Sequence, residues 1–323
     1  MLMLQKSQQL SLLAVAALLT NAFIWGVAWW PFRLLAQNGL HSLWATAMMY
    51  SLITIALWLW YRITARSSSI VTSNSANPNI KTNPKTKEKW LLLALLIAVG
   101  LTNCAFNWAV TIGEVVRVVL LFYLMPIWTL LFARLFLGES LTGSAWLRIA
   151  LCVAGAILVL APKELPISQI TLPAPSSLAD WLGISGGIGF AATNVALRAC
   201  AVAGISTQRI SLSMFGGGAL LPALLAMALT ANATIAAVPD PSIVWIAILL
   251  VLSVGFLLSN LALQYGAARL PASIIAAVMP SEVVFASVSA VLIAGEVFTV
   301  RLLVGGGLIL MAALLSIFHH QKQ

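Results

Sequence analysis

Charged residues are scarce in this 323-residue chain: they make up 8% of it, whereas hydrophobic residues make up 61%. Ordinary soluble domains carry about 25% charged residues. So few polar groups could not cover the surface of a soluble protein, and the composition excludes a soluble enzyme, a disulfide scaffold and a disordered chain. About ten segments of roughly 20 apolar residues would account for the hydrophobic fraction. The composition therefore predicts an all-α, polytopic membrane protein.

Histidine and cysteine are also rare, and their positions argue against a metal or haem site. The three histidines lie at the edges of apolar runs, and the three cysteines lie far apart without a Cys-x-x-Cys pair. The sequence has no HExxH, GxSxG or P-loop motif, which argues against an intramembrane enzyme and an ATP-driven pump. We expect no enzymatic activity, no metal and no cofactor. The 17 Lys and Arg residues lie between apolar runs or near the ends of these runs, where they indicate contact with the lipid bilayer and not with nucleic acid.

Ten apolar runs have the length of a membrane span. They cover residues 10–32, 42–61, 90–110, 115–137, 145–161, 179–201, 209–229, 243–265, 271–294 and 299–318. Residues 62–89 are rich in Ser, Asn, Thr and Lys and are expected to form a flexible loop. The proline-rich residues 162–178 are expected to link two halves, 1–161 and 179–319.

The basic residues are distributed unequally between the two sides of the membrane. Thirteen of the 17 Lys and Arg residues fall on the side that carries both termini and the 62–89 loop, and four fall on the other. The positive-inside rule then places both termini in the cytoplasm. The expected location is the plasma membrane, the inner membrane of a bacterium.

The two halves of the chain repeat each other. The pattern Gly-Glu-x-x-Thr occurs at 138–142 and again at 295–299. Further pairs occur in the same order: Trp25 with Phe190, Arg33 with Arg198, Asn107 with Asn260, and Gly113 with Gly266. Each half has five spans, an odd number, so the second half enters the membrane from the opposite face. Inverted repeats generate two pseudo-symmetric states around a site near the midplane, which predicts a carrier that works by alternating access.

These motifs resemble those of the EamA family of the drug/metabolite transporter superfamily. The matching features are Trp25-Gly26, Pro126, both Gly-Glu-x-x-Thr stretches, and Glu282 fourteen residues before Glu296. The resemblance implies a ten-span exporter built from two inverted five-span repeats. The family often has proline directly after the glutamate of the ninth span. Here Val283 follows Glu282 and Pro280 precedes it, so we expect any kink to be displaced by about a turn.

Glu282 and Arg117 are the charged candidates for the transport site. A charge inside a span costs about 2.5–3.5 kcal/mol, and Glu282 lies near the middle of the ninth span. It would either bind a proton or a cationic substrate group, or hold a neighbouring helix. Arg117 follows Glu114 by three residues, so it would either pair with Glu114 or attract a substrate carboxylate at the cavity mouth. Glu296, like Glu139 in the first repeat, is expected to interact with a helix end.

Amides and tryptophans complete the candidate substrate-binding set. The amides lie in spans that the resemblance implies line the central cavity, and each needs a partner on a neighbouring helix or on a ligand. Trp25 and Trp29 share one face of the first span and would form an apolar wall. The candidate set is Trp25, Trp29, Asn103, Asn107, Arg117, Asn194, Asn260, Gln264 and Glu282, with Asn21 as a further buried amide.

The leading functional hypothesis is a secondary active transporter that exports small metabolites such as amino acids, related compounds or drugs. Protons and a second copy of the chain are candidate partners beside the substrate and the bilayer. One alternative is a nucleotide-sugar or sugar-phosphate exchanger, whose substrates would call for several inward-facing basic residues. The other alternative is a membrane scaffold that transports nothing.

Overall fold

The structure is a computed structural model that describes residues 2–67, 84–137, 143–161, 174–270, 274–275 and 278–320. Within these ranges the regular structure is helical, and no strand is present. The helices are α1 (Leu2–Val27), α2 (Trp29–Gln37), α3 (Ser42–Ser67), α4 (Pro84–Ile112), α5 (Val115–Phe122), α6 (Met125–Leu137), α7 (Gly143–Leu160), α8 (Leu178–Val202), α9 (Thr207–Ala231), α10 (Ile243–Ala267), α11 (Ser281–Ala294) and α12 (Val300–His320). The prediction of an all-α protein is confirmed for the described chain.

Six segments of the described chain are long and apolar enough to cross a membrane. They are Leu12–Gln37, Ser42–Thr64, Thr86–Ile112, Val115–Phe136, Thr207–Ala231 and Ile243–Gly266. Three shorter apolar helices, Trp146–Leu160, Ser281–Ala294 and Val300–Ala312, coincide with predicted spans. The helix α8, which has 25 residues and carries Asp180, Arg198 and four glycines, is not among these segments.

Three spans are interrupted, and a proline stands beside each interruption. Pro31 lies in the first turn of α2 and has no backbone N–H to donate to the carbonyl of Val27. The helix α1 ends at Val27. Pro126 lies in the first turn of α6 and separates it from α5. Pro280 precedes α11, with a turn at Met279–Pro280. The break in the ninth span therefore falls before Glu282, beside Pro280, the proline from which the sequence predicted a displaced kink.

The packing of the helices repeats when the two halves are exchanged. The first span (α1) packs on α10, and its counterpart α8 packs on α4. The third span (α4) packs on α9, and its counterpart α10 packs on α3. The pairs α3–α9 and α7–α12 each join equivalent helices of the two halves. This exchange is the pattern that a twofold axis between two repeats produces.

Several sequence predictions fall wholly or partly outside the described residues. The predicted 62–89 loop is helical at both ends, since α3 continues to Ser67 and α4 begins at Pro84, a favoured residue for the first position of a helix. Its central part, 68–83, lies outside the described residues, as do most of the 162–178 linker and the first Gly-Glu-x-x-Thr stretch at 138–142.

Candidate functional site

A cavity of about 350 Å³ lies where helices of the two halves meet. Its wall takes residues from α1, α3, α4, α5 and α6 of the first half and from α8, α9, α10 and α11 of the second. The lining residues are Asn21, Trp25, Tyr50, Val99, Thr102, Asn103, Phe106, Phe122, Tyr123, Met125, Phe190, Thr193, Met214, Phe215, Phe256, Asn260, Leu263, Met279, Pro280 and Glu282. The interrupted fourth and ninth spans both contribute residues next to their breaks.

Aromatic rings make up much of the wall. Trp25 packs edge-on against Phe256 with ring centroids 4.7 Å apart, and tilted against Phe106 at 6.2 Å. Phe122 contacts Phe106 at 4.8 Å and Phe190 at 5.4 Å. These contacts connect α1, α4, α5, α8 and α10 into one apolar surface.

Glu282 supplies the carboxyl group of this surface. Its side chain lies in the first turn of α11 with the residue only 8% exposed. The hydroxyl of Tyr123 donates to its Oε2 atom at 3.3 Å and also reaches the Met279 carbonyl at 3.4 Å. A carboxylate is stabilised at a helix N-terminus, which offsets part of the cost of its burial. In the part of the chain that the structure describes, no Asp, Lys, Arg or His lines the cavity.

The Trp25-Gly26 pair places the first span against this charge. Trp25 faces the cavity, whereas Gly26 faces α11. A Cβ atom on Gly26 would lie 2.7 Å from the Cβ of Phe285 and 2.8 Å from the carbonyl oxygen of Glu282. Only glycine fits this approach, so the motif brings α1 into backbone contact with α11 at the level of the carboxylate.

The structure places four of the predicted site residues on the cavity wall: Trp25, Asn103, Asn260 and Glu282. The Asn103 side chain accepts from the Tyr50 hydroxyl at 2.6 Å and donates to the Val99 carbonyl at 2.9 Å. The Asn260 side-chain oxygen accepts from Gln264 at 2.5 Å. These amides therefore have protein partners and also border the cavity.

The other five predicted residues do not line the cavity. Trp29 is buried and donates to the Ser289 hydroxyl at 2.9 Å, and Asn107 is buried and donates to the Thr46 hydroxyl at 3.1 Å. Asn194 and Gln264 are exposed. Arg117 forms a salt bridge with Asp180. Helices α4 and α10 carry two amide residues each and α8 carries one, and the sequence did not show which of these side chains face inward.

Arg117 binds Asp180 in the other half of the chain. Its Nε and one Nη donate to the two carboxylate oxygens at 2.7 and 2.9 Å, and its other Nη donates to the Val159 carbonyl at 2.9 Å. Asp180 is 1% exposed and also forms a capping box with Ser177 at the start of α8. The expectation that Arg117 attracts a substrate at the cavity mouth is thus corrected, because its guanidinium fork is engaged by a buried carboxylate. The sequence offered Glu114 as its partner and missed Asp180.

Most of the aromatic wall was also missed from the sequence, Tyr50, Tyr123, Phe106, Phe122 and Phe256 among it. The repeat offered one signal, because it aligned Phe190 with Trp25, and both residues line the cavity. For the others no signal was available. Aromatic side chains in an apolar span look alike whether they face lipid or an interior cavity.

Glu296 and Arg33 join the two halves at one end of the molecule. The Glu296 carboxylate accepts from the backbone N–H groups of Val115 and Val116 at 2.7 and 3.2 Å, at the start of α5. Arg33 lies 3.5 Å from Glu296 and donates to the Gly113 carbonyl at 2.5 Å. We call these contacts the end clamp. Glu296 therefore does interact with a helix end, but with that of a helix in the other half; Glu139 lies outside the described residues.

The sequence matches the EamA-like transporter family over residues 12–161 and again over residues 177–318. The chain belongs to this family. The resemblance read from the motifs is confirmed, and this EamA-like protein is a multi-pass membrane protein of the drug/metabolite transporter superfamily. Members of the family are transporters, not enzymes.

A comparison with solved structures shows the same fold for the EamA-like chain. One match, titled only as a crystal structure of a protein, covers 96% of this chain and 97% of its own. The TM-score is 0.57 and the sequence identity is 14%, so the likeness concerns the fold alone. No curated protein gives a significant match to this sequence.

Proposed function

We propose that this EamA-like protein is a secondary active transporter that exports small metabolites from the cytoplasm by alternating access. The proposal includes ten spans in two inverted repeats, both termini in the cytoplasm, and a bacterial inner membrane. The observation that carries it is the cavity that both halves enclose beside the breaks in the fourth and ninth spans. Transporters built from inverted repeats bind substrates at such discontinuous helices near the midplane.

The contacts between the halves support a two-state mechanism. In the proposed topology the end clamp and the Arg117–Asp180 pair lie on the outer side, and both attach the start of α5 to the second half. Opening the cavity to the outside would require these contacts to separate. Discrete ion pairs of this kind give two arrangements, closed and open, and not a continuous range.

Glu282 supports coupling to protons. It faces the cavity, and the other titratable side chains on the described wall are Tyr50 and Tyr123, of which Tyr123 bonds it directly. A buried carboxylate that meets the cytoplasm in one state and the exterior in the other can carry a proton inward while substrate moves outward. One group then links the two fluxes.

Transport by the purified protein in proteoliposomes tests this function. Vesicles are loaded with a mixture of the proteinogenic amino acids and their decarboxylated amines, and efflux is measured by mass spectrometry at several external pH values. We expect efflux of part of the mixture to rise when the exterior is more acidic. Glu282→Gln should abolish this pH dependence, whereas Glu88→Gln, which removes a carboxylate paired with Arg209 away from the cavity, should keep it. Equal pH profiles for wild type and Glu282→Gln would remove Glu282 from the coupling, and no efflux of any compound would favour a scaffold.

The alternative of a nucleotide-sugar or sugar-phosphate exchanger is disfavoured by the wall of the cavity. Phosphate groups are bound in proteins mainly by Arg and Lys. The described wall has none, and the basic residue offered by the sequence, Arg117, is bound to Asp180.

A further inference from the structure

We infer that the cavity selects an organic amine cation with an aromatic body and without a carboxylate. This inference rests on the proposed function, since it names the substrate class of the same cavity. It depends on three features of the described wall: the single negative charge, the aromatic surface around it, and the way the amides are already engaged.

The charge balance of the cavity favours a cation. Glu282 is buried, the neutral hydroxyl of Tyr123 donates to its carboxylate, and no basic side chain of the described wall balances it. A buried carboxylate without a counter-charge is costly, because it loses its hydration and gains no ion pair. A cationic ligand supplies the missing charge at the position where the cavity needs it. An anionic ligand would add a second negative charge to the same space.

The aromatic surface favours a flat apolar body and assists the cation. Trp25 and Phe106 lie in ring contact with each other, and so do Phe106 and Phe122. Ring faces attract cations, by about 0.5–2 kcal/mol each, and also stack on an aromatic ligand. The cavity volume of about 350 Å³ is at the lower end of the range for small-molecule sites. A compound with one or two fused rings fits this volume better than a nucleotide sugar.

The amides of the wall explain why a free carboxylate is rejected. A zwitterion such as an amino acid would need donors for its carboxylate inside the cavity. The amide nitrogen of Asn21 already donates to Ser259, at 2.6 Å to the hydroxyl and 3.1 Å to the carbonyl. The amide nitrogen of Asn103 donates to the Val99 carbonyl, and the Tyr50 hydroxyl donates to the amide oxygen of Asn103. The Asn21 and Tyr50 donors are used between helices and the Asn103 donor is used within α4, so a carboxylate that took one of these donors would have to break its present bond.

Tryptamine and tryptophan form the matched pair that tests this inference, since they differ only by the carboxylate. Tryptophol serves as the neutral analogue of tryptamine. Binding of each compound to purified wild-type protein is measured by competition, and uptake is measured by counterflow in proteoliposomes. We expect tryptamine to bind about tenfold or more tightly than tryptophan, a difference of about 1.4 kcal/mol or more. Glu282→Gln should weaken the binding of tryptamine by a similar factor and leave the affinity for tryptophol within about twofold of wild type. Glu88→Gln should alter the affinity for none of the three compounds.

Two outcomes would overturn the inference. Tryptophan binding as tightly as tryptamine, or unchanged tryptamine affinity in Glu282→Gln, would show that the carboxylate does not select a cation. If tryptophan is transported and tryptamine is not, the inferred substrate class is wrong but the proposed transporter function stands. If no compound of the amino acid and amine mixture is transported, the proposed function itself is wrong. Should Glu282→Gln not reconstitute, the wild-type comparison of tryptamine with tryptophan decides alone.

Discussion

His41 caps the start of the second span through a ring nitrogen that must be unprotonated. Its Nδ1 atom accepts from the backbone N–H of Leu43 at 3.2 Å, and the ring packs edge-on against Trp108 with centroids 5.1 Å apart. Burial of the imidazole lowers the pKa of His41 from its ordinary value of 6.5. The capping bond and the burial both favour the neutral ring.

The stability of the protein should therefore depend on the protonation of His41. Because the pKa of His41 is lower in the folded state, its contribution to stability is complete above pH 6.5. This contribution is lost as the pH falls from 6.5 through the folded pKa. Asn is a good capping residue that does not titrate, so His41→Asn should reduce the loss of thermal stability between about pH 7.5 and about pH 5.5. Thermal unfolding in detergent measures it. An equal loss in wild type and variant would show that His41 does not contribute.

The sequence could single out Glu282 as a candidate site residue, but it could not predict partners on other helices. Counting from the end of the ninth span placed Glu282 near the midplane, and the structure puts it on the cavity wall. Arg117 was assigned a partner by its spacing from Glu114 on one helix. Its salt bridge in the structure reaches Asp180, 63 positions away in the other half. Contacts between helices depend on how the helices rotate about their axes, and an apolar span carries no periodic pattern that would reveal this.

The helices of the two halves approach closely at glycines. A Cβ atom added to Gly217 in α9 would overlap the backbone carbonyl of Leu96 in α4, whereas one on the neighbouring Gly216 would meet nothing within 4 Å. Small residues at such positions let helices pack in a membrane, where the hydrophobic effect does not drive their association. Here glycine is required by the distance between the backbones.

Gly217→Ala and Gly216→Ala form a matched pair that tests this contact. Both changes favour the helix by about 1 kcal/mol, but only Gly217→Ala forces α4 and α9 apart. We expect Gly217→Ala to destabilise the protein by about 1–3 kcal/mol from overpacking, and Gly216→Ala to be neutral or slightly stabilising. Thermal unfolding of the two variants in the same detergent checks this. Equal melting temperatures would show that the helices separate without cost.

The end clamp should control opening of the cavity on its own side. Glu296→Gln removes the negative charge that binds Arg33 and the backbone N–H groups at the start of α5. A hydrogen bond to a charged group contributes about 1.5–3 kcal/mol to stability. While the open state is a minor one, its population should rise about tenfold or more. The measurement is labelling of Asn260→Cys by an impermeant maleimide from outside, with the three native cysteines replaced by alanine. Labelling should accelerate in Glu296→Gln and not in Glu88→Gln; an unchanged rate would show that the clamp does not hold the cavity closed.

At the scale of the whole molecule, the class of protein and its repeat could be read from the sequence. Composition predicted the helical membrane protein, and the paired motifs led to the family that residues 12–161 and 177–318 match. Span ends were less predictable, since α3 and α4 continue into the predicted loop with polar residues that a helix tolerates outside the membrane. The cavity depends on which faces of the helices meet, and for this the repeat gave only the pairing of Trp25 with Phe190.

The orientation in the membrane is a separate prediction. We expect both termini in the cytoplasm, because thirteen of the 17 Lys and Arg residues lie on that side. Alkaline phosphatase is active only outside the cytoplasm, so a fusion after Gln323 should be inactive and a fusion within 162–178 should be active. The reverse result would contradict the orientation, and equal activity at both positions would contradict an odd number of spans between them.

The carboxylate of Glu282, the single one on the described part of the cavity wall, has a consequence for the energetics of export. On the proposed mechanism Glu282 holds either one proton or one monovalent amine, so each cycle exchanges one positive charge for another. Such exchange is electroneutral, and the membrane voltage, worth about 2.3 kcal/mol per charge at 100 mV, does no work on it. The pH difference is then the whole driving force, and because a pKa unit corresponds to about 1.36 kcal/mol, it supports about a tenfold concentration ratio per pH unit. A cell that keeps its voltage but loses its pH gradient could not export the compound against its concentration gradient.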